Sequence, residues 1–393
     1  MIFIVKEVNE MEVELKDICE FQEGYVNPPQ TRHEYFDGNI KWIRATDINS
    51  TYIYDTSRTL TDVGFKSAGK SAKLFEPNSL IISKSGTIGK LGIIKDYMCG
   101  NRAVINIKPD LSKVNLMYLY YSIKMKLPYI KELARGSVQK NLYIFMLDKV
   151  KILLPSLEEQ AKMINILEKI DKKVELNNEI NNNLHELINQ NFSKYLNELD
   201  EYIELDIKEI FDFESGVEPG SKNYLEKREE NSIKFYRVGD MNSECNTFIK
   251  EDLSNGKLID ENDVVVSFDA TIGRIGYGLK GAYSTGMKKI SINSKYKNII
   301  DNSIVYAYFN SKDVQNIMME NARGTTILHA SSSIDFMNFK YNENLLKKYG
   351  KLISVAFDKM KSIKNENEKL SKLRDTLLPK LMNGEIDLNN IEI

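Results

Sequence analysis

Two long stretches of the chain carry a mostly apolar seam at every third or fourth position. From Ser156 to Leu199, a run without glycine or proline, this spacing picks out Met163, Leu167, Ile170, Val174, Asn177, Asn181, Leu184, Ile188, Asn191 and Tyr195. Near the other end it picks out Ile353, Ala356, Met360, Ile363, Asn367, Leu370, Arg374, Leu377 and Leu381. Such spacing lines one face of a helix, so each stretch predicts a long heptad-like helix. Ser156 followed by Glu159, just after Pro155, predicts the start of the first as a capping box. If the whole run were helical it would form a rod of roughly 65 Å. Neither helix can bury its seam alone, so pairing the two is the simplest solution. The asparagines in the seams cost stability but penalise slipped registers.

The remaining sequence has a different rhythm. Short β-rich runs with glycine at the turns, "NSLIISKSGTIGKLGII" (78–94) and "ENDVVVSFDATIGRIGYG" (261–278), predict hairpins. Each is followed by a helical stretch, "NLMYLYYSIKMKLPYIKELA" and "NSIVYAYFNSKDVQNIMMENA".

These runs are copies of one another. "ELKDICEFQEG" (14–24) is echoed by "ELDIKEIFDFESG" (204–216), and "IKWIRATDIN" (40–49) by "IKFYRVGDMN" (233–242). Thr-Ile-Gly-basic-x-Gly occurs at 87–92 and again at 271–276, and "ELARGSVQ" (132–139) answers to "ENARGTTI" (320–327). Collinear matches in the same order indicate an internal duplication. The fold expected is α/β (α+β). A first domain covers 1–154, a central helix 155–199, a second domain 200–340, and a C-terminal helix and tail 341–393.

Composition is that of an ordinary globular chain, with 42% apolar and 28% charged residues and a net charge of −2. That balance excludes a uniformly basic nucleic-acid binder. The charge is uneven, however: residues 58–140 hold fifteen Lys/Arg against five Asp/Glu, and residues 198–218 hold one against nine. A local polyanion-binding surface has this signature, although solvated faces produce it too. No apolar run is long enough for a membrane helix and the N-terminal residues lack a secretory pattern, so the chain reads as cytoplasmic. Cys19, Cys99 and Cys245 share no metal-ligand spacing with one another or with the three histidines.

Several stretches imitate catalytic signatures without completing them. "NPPQ" (27–30) resembles the Asn-Pro-Pro-aromatic motif of amino-methyltransferases, but Gln30 has no ring to stack on an extruded base. "GTIGK" is too short for a phosphate-binding P-loop. Asp110 in "KPDLSK" lacks the neighbouring acidic and lysine residues of a metal-dependent nuclease. A binding subunit is the expectation.

The tail "NEKLSKLRDTLLPKLMNGEIDL" (367–388) closely resembles the C-terminal end of type I restriction–modification specificity subunits. "LPSLEEQAKMINILEKIDKKVELNNEINNNLHEL" (154–187) is similar to their central conserved helix. The Thr-Ile-Gly and Ala-Arg-Gly segments also recur in their target-recognition domains. The resemblance implies two such domains separated by a pair of antiparallel helices, in a pseudo-twofold arrangement. Each domain would read one half of a split double-stranded DNA target, and the stiff run free of glycine and proline leads us to expect the helices to act as the ruler between half-sites. The implied partners are two adenine-N6 methyltransferase subunits docked on the helices, and motor-nuclease (restriction/translocase) subunits. S-adenosylmethionine, ATP and Mg would be bound by those partners and none by this chain, which would itself be non-catalytic. A single-chain restriction enzyme and a coiled-coil scaffold without a DNA role are the alternatives.

The candidate DNA contacts follow the repeated motifs. In the first half they are Lys84, Ser85, Thr87, Lys90, Arg102, Arg135, Ser137, Gln139 and Lys140. In the second they are Arg237, Thr271, Arg274, Lys288, Lys289, Arg323, Thr325, Thr326 and His329. Basic groups suit phosphates, and Ser, Thr, Gln, Lys and His can reach base edges. The Thr-Ile-Gly loop could present backbone N–H groups to phosphates, or its glycines could simply permit a tight turn. On the helices, Leu167, Ile170, Val174, Leu184, Ile188, Met360, Leu370 and Leu377 are candidates for docking the methyltransferases.

Overall fold

The computed structural model describes residues 11–136, 140–241, 245–324, 328–383 and 385–386. It forms two compact units, one of residues 1–172 with 371–393 and one of residues 173–370. No helix among the described residues is long and apolar enough to cross a membrane.

In the first unit, Ser79–Ser83 is buried along its whole length because it lies inside a five-stranded sheet. The strand order is Cys19–Glu23, Val104–Pro109, Ser79–Ser83, Leu91–Ile94 and Tyr52–Ile53. A four-stranded sheet holds Thr59–Leu60, Phe36–Ile43, Met98–Gly100 and Leu74–Phe75. The helix Leu116–Leu133 buries Met117, Tyr118, Tyr121 and Ile123 in the same core as Leu80, Ile82 and Ile105. Its start is fixed by Asn115, whose side chain accepts from the N–H groups of Met117 (2.8 Å) and Tyr118 (3.2 Å).

The second unit repeats this plan. Its first sheet runs Phe211–Ser215, Met287–Ile292, Val264–Ser267 and Ile275–Tyr277. Its second runs Phe248–Lys250, Ser232–Tyr236, Gly281–Tyr283 and Leu258–Ile259. Register is preserved: Ser83 lies opposite Val104, and Ser267 lies opposite Met287. The following helix, Asn302–Asn310, is capped by Asp301, which accepts from Ser303 N–H at 2.9 Å. The duplication read from sequence is therefore a duplication of topology.

The long helices are Leu157–Asn197 and Glu343–Met382, of 41 and 40 residues. The Glu159 N–H donates to Ser156 Oγ at 3.3 Å and the Ser156 N–H to Glu159 Oε2 at 3.0 Å, which is the expected capping box. In the first unit Met163, Ile164 and Leu167 share a core with Leu378, Leu381 and Met382. In the second, Ile188, Phe192 and Tyr195 share one with Ile353, Phe357 and Met360. There Asn177 meets Asn367, whereas Glu198 meets Lys348 at 2.7 Å, so the helices run antiparallel.

Candidate nucleic-acid interface

The repeated Thr-Ile-Gly loop is a hairpin locked from inside by one serine. In the first unit the Ser83 N–H donates to Lys90 O (2.9 Å) and the Gly89 N–H to Ser83 O (3.0 Å). The buried Ser83 hydroxyl donates to Thr87 O at 2.6 Å and accepts from the Lys90 N–H at 2.8 Å. Ser267 makes the same set in the second unit, with Arg274 N–H donating to its hydroxyl at 2.9 Å and the hydroxyl donating to Thr271 O. Gly89 and Gly273 have φ of 86° and 79°, a region that favours glycine. A Cβ at Gly273 would also collide with the Gln315 side chain, whose Nε2 donates to Gly273 O at 2.9 Å. The N–H groups at 89, 90, 273 and 274 are consumed within the hairpin, so they are unavailable to a phosphate. Those glycines serve the turn.

What the hairpin does is hold other loops. Lys84 O accepts from the Leu142 N–H at 2.9 Å, and Phe268 O from the Ala330 N–H at 2.7 Å. Both donors end the segment that begins with Ala-Arg-Gly. That segment closes on itself: Arg135 N–H to Asn141 O is 3.0 Å and Asn141 N–H to Arg135 O is 2.8 Å. Arg323 and His329 make the same pair of bonds at 2.9 and 2.8 Å. The basic residue of the hairpin then reaches toward the Arg-x-x-Asp segment of its unit. Lys90 Nζ donates to Asn49 Oδ1 and Arg274 Nη1 to Val238 O, each at 3.4 Å. Three motifs far apart in sequence thus converge once in each unit.

The candidate contacts divide into outward-facing and internally bound groups. Arg102, Arg135, Lys140 and Arg323 are exposed and carry no ion pair among the described residues. Thr87 and Thr271 are exposed at the hairpin tips, while Ser85 is half-buried. Lys84, by contrast, pairs with Glu23 at 2.9 Å. Arg237 pairs with Asp240 at 3.0 Å and lies over the Tyr224 ring at 5.8 Å; the hydrogen bond to Asp240 raises its pKa and holds its charge. Lys288 donates to Ser215 Oγ at 2.9 Å. Lys289 donates to Leu258 O at 3.0 Å and lies 3.6 Å from Glu214, whose carboxyl is held below its usual range chiefly by a hydrogen bond from Lys257. Lys84, Arg237, Lys288 and Lys289 therefore belong to the fold's own bonding. Ser137, Gln139, Thr325 and Thr326 lie outside the described residues.

Two features were not picked out from the sequence. His329 Nδ1 lies 2.8 Å from Asp269 Oδ1, on a side chain that is 61% exposed. Beside the other Ala-Arg-Gly loop, exposed Tyr143 and Phe145 stack with ring centroids 5.7 Å apart. Comparing the halves position by position would have exposed the first, because Asp269 stands where the other hairpin has Ser85.

The helix residues proposed for docking require correction. Leu167, Ile188 and Met360 are buried in the chain's own cores, and Ile170 is buried as well. Leu184 and Leu377 are half-buried against those cores, and Val174 and Leu370 are half-buried too. A seam that closes internally offers little to a partner. The apolar side chains left exposed on these helices include Leu176, Ile180, Leu187, Leu352, Val355 and Leu373.

Among the described residues, no three His, Cys, Asp or Glu side chains converge to hold a metal ion. The three cysteines are free and buried, and burial pushes the thiols of Cys19 and Cys99 up to about 12.

Residues 7–186 and 200–366 match the family described as "Type I restriction modification DNA specificity domain". The type I restriction enzyme MjaIX specificity subunit of Methanocaldococcus jannaschii is 28% identical, over 96% of this chain and 93% of that one. The crystal structure of a type I restriction–modification S subunit from M. genitalium has the same fold. Its TM-score is 0.53 at 18% identity, covering 97% of this chain and 98% of that one.

Proposed function

The chain belongs to the type I restriction–modification DNA specificity family, and we propose that it reads a bipartite duplex target, one half with each unit. It is a non-catalytic subunit that supplies the address for chemistry performed elsewhere. The observation that carries this reading is the doubled scaffold: the same locked hairpin and the same closed Ala-Arg-Gly loop occur twice. The side chains mounted on them differ between copies. A scaffold held constant under varied polar groups is what two independent readers of different half-sites require.

Phosphates are met by the exposed Arg102, Arg135, Lys140 and Arg323, which position each unit on the duplex without reading sequence. The exposed apolar residues of the long helices, Leu176, Ile180 and Leu187 among them, provide the surface for two adenine-N6 methyltransferase subunits. Restriction/translocase subunits join that core in the cytoplasm, and S-adenosylmethionine, ATP and Mg are bound by the partners.

Mapping N6-methyladenine in the genomes of cells with and without this gene tests the proposal. One split motif should lose its methylation when the gene is removed. An unchanged map in cells whose methyltransferase is active would contradict it.

A further inference from the structure

We propose that the residue pair mounted where the hairpin meets the closed loop, Asp269 with His329, reads one base of the second half-site. It does so by presenting the histidine Nε2 as a hydrogen-bond acceptor to an exocyclic amino group in the major groove. This rests on the DNA-reading function proposed above.

The two units supply the control for one another. Asp269 follows Phe268 on a backbone that matches Ser85 after Lys84, because both strands keep the same hairpin bonds. His329 closes its loop with Arg323 as Asn141 does with Arg135. One scaffold therefore carries Ser85 and Asn141 in the first unit, and Asp269 and His329 in the second. The serines that lock the hairpin, Ser83 and Ser267, are the same in both units, whereas these two positions differ. In the second unit the pair sits at the rim of the scaffold, with Asp269 half-buried and His329 exposed, so its divergence changes what the unit presents to the outside.

The chemistry of the pair selects the partner. The Asp269 carboxylate accepts, so Nδ1 carries the hydrogen in the neutral ring and Nε2 is left with its lone pair. Nε2 has no partner among the described residues, and 61% of the side chain is exposed. In the major groove only adenine N6 and cytosine N4 offer amino donors. Exposed Arg323 and Thr271 stand on the same two loops and supply the adjoining phosphate and polar contacts. The aspartate also fixes the ring's orientation: its N–H donates to Gly286 O at 3.3 Å, and Ala270 beside it is held at φ 60°.

The test uses the full chain in the complex in which it is isolated, with selection from a randomised duplex library at about pH 8. Wild type should enrich adenine or cytosine at one position of the second half-site. Asp269→Asn lets an amide donate to Nδ1 and moves the ring hydrogen to Nε2. A cytosine preference should then shift toward guanine, thymine or adenine, whose N7 also accepts. An adenine preference should weaken toward guanine and thymine, in either case by roughly 5- to 10-fold with the rest of the motif intact. His329→Asn, which installs the residue the sister loop carries naturally, should relax the same position alone. If both variants enrich the wild-type sequence, the inference is overturned while the DNA-reading function stands. If wild type enriches no sequence at all, both fall.

Discussion

Asn177 donates its amide to Asn367 Oδ1 at 2.8 Å and to Glu366 Oε2 at 3.0 Å, with only 1% of the residue exposed. Asn367 in turn donates to Asn178 Oδ1 at 2.9 Å. A buried amide accepted on both sides forbids a slide of one helix along the other, since any shift would leave it unpaired. Asn177→Leu should therefore cost about 1–3 kcal/mol, the penalty for orphaning a buried polar partner. The double replacement with Asn367→Leu should cost less than the sum of the single changes. Denaturant unfolding of the four proteins measures this coupling, and additive losses would contradict it.

The serine clamps predict unit-specific damage. Ser83→Ala and Ser267→Ala each remove a buried hydroxyl that makes two hydrogen bonds, at an expected cost of about 1–3 kcal/mol. Because each clamp orders one hairpin, Ser83→Ala should blur only the first half-site and Ser267→Ala only the second. Sequence selection with each variant checks this; damage to both half-sites from either change would count against it.

Much of this organisation is legible in the sequence because it rests on local chemistry. The 3-4 spacing locates both long helices, and Ser156 with Glu159 marks where one begins. The matched blocks reveal the duplication. What the sequence hides is partnership over distance. Nothing near Lys84 says that its charge is neutralised by Glu23, and nothing in "KK" at 288–289 says that Glu214 and Ser215 hold those lysines. The seam residues mislead for a related reason. Periodicity identifies a buried face, but burial against the chain's own second helix looks the same as burial against a partner.

Lys364 supplies a pH-dependent test of the second unit. Its ammonium donates to Tyr277 O at 2.6 Å and lies 4.9 Å over the Tyr277 ring. Burial disfavours the charged form; Glu368 supports it and Lys234 opposes it, leaving a pKa of about 8 against the usual 10.5. The folded pKa is the lower one, so between those values the unfolded chain binds more protons and stability rises with pH. The stability difference, Lys364→Met minus wild type, should be largest at neutral pH and shrink as pH rises from about 8 toward 10.5. Melting temperatures of the two proteins across that range measure it, and a constant difference would contradict the burial of a charge.

The exposed cations predict a change in salt dependence. Reversing Arg135 and Lys140 to glutamate should weaken DNA binding and lower the slope of log affinity against log salt by about two, roughly one per lost phosphate contact. Reversing Lys289, which is held by Glu214 and Asp263, should leave that slope unchanged although the unit is destabilised. Titrations at several salt concentrations separate the two, and equal slopes for all variants would remove these residues from the interface.

The central claim is that each unit reads its own half of the target. It is tested most directly by replacing residues 200–340 with the corresponding segment of a relative and mapping methylated adenines in cells that carry the hybrid. The account predicts a new split motif in which one half-site is unchanged and the other is the relative's. A map in which both half-sites change, or in which neither does while methylation persists, would contradict it.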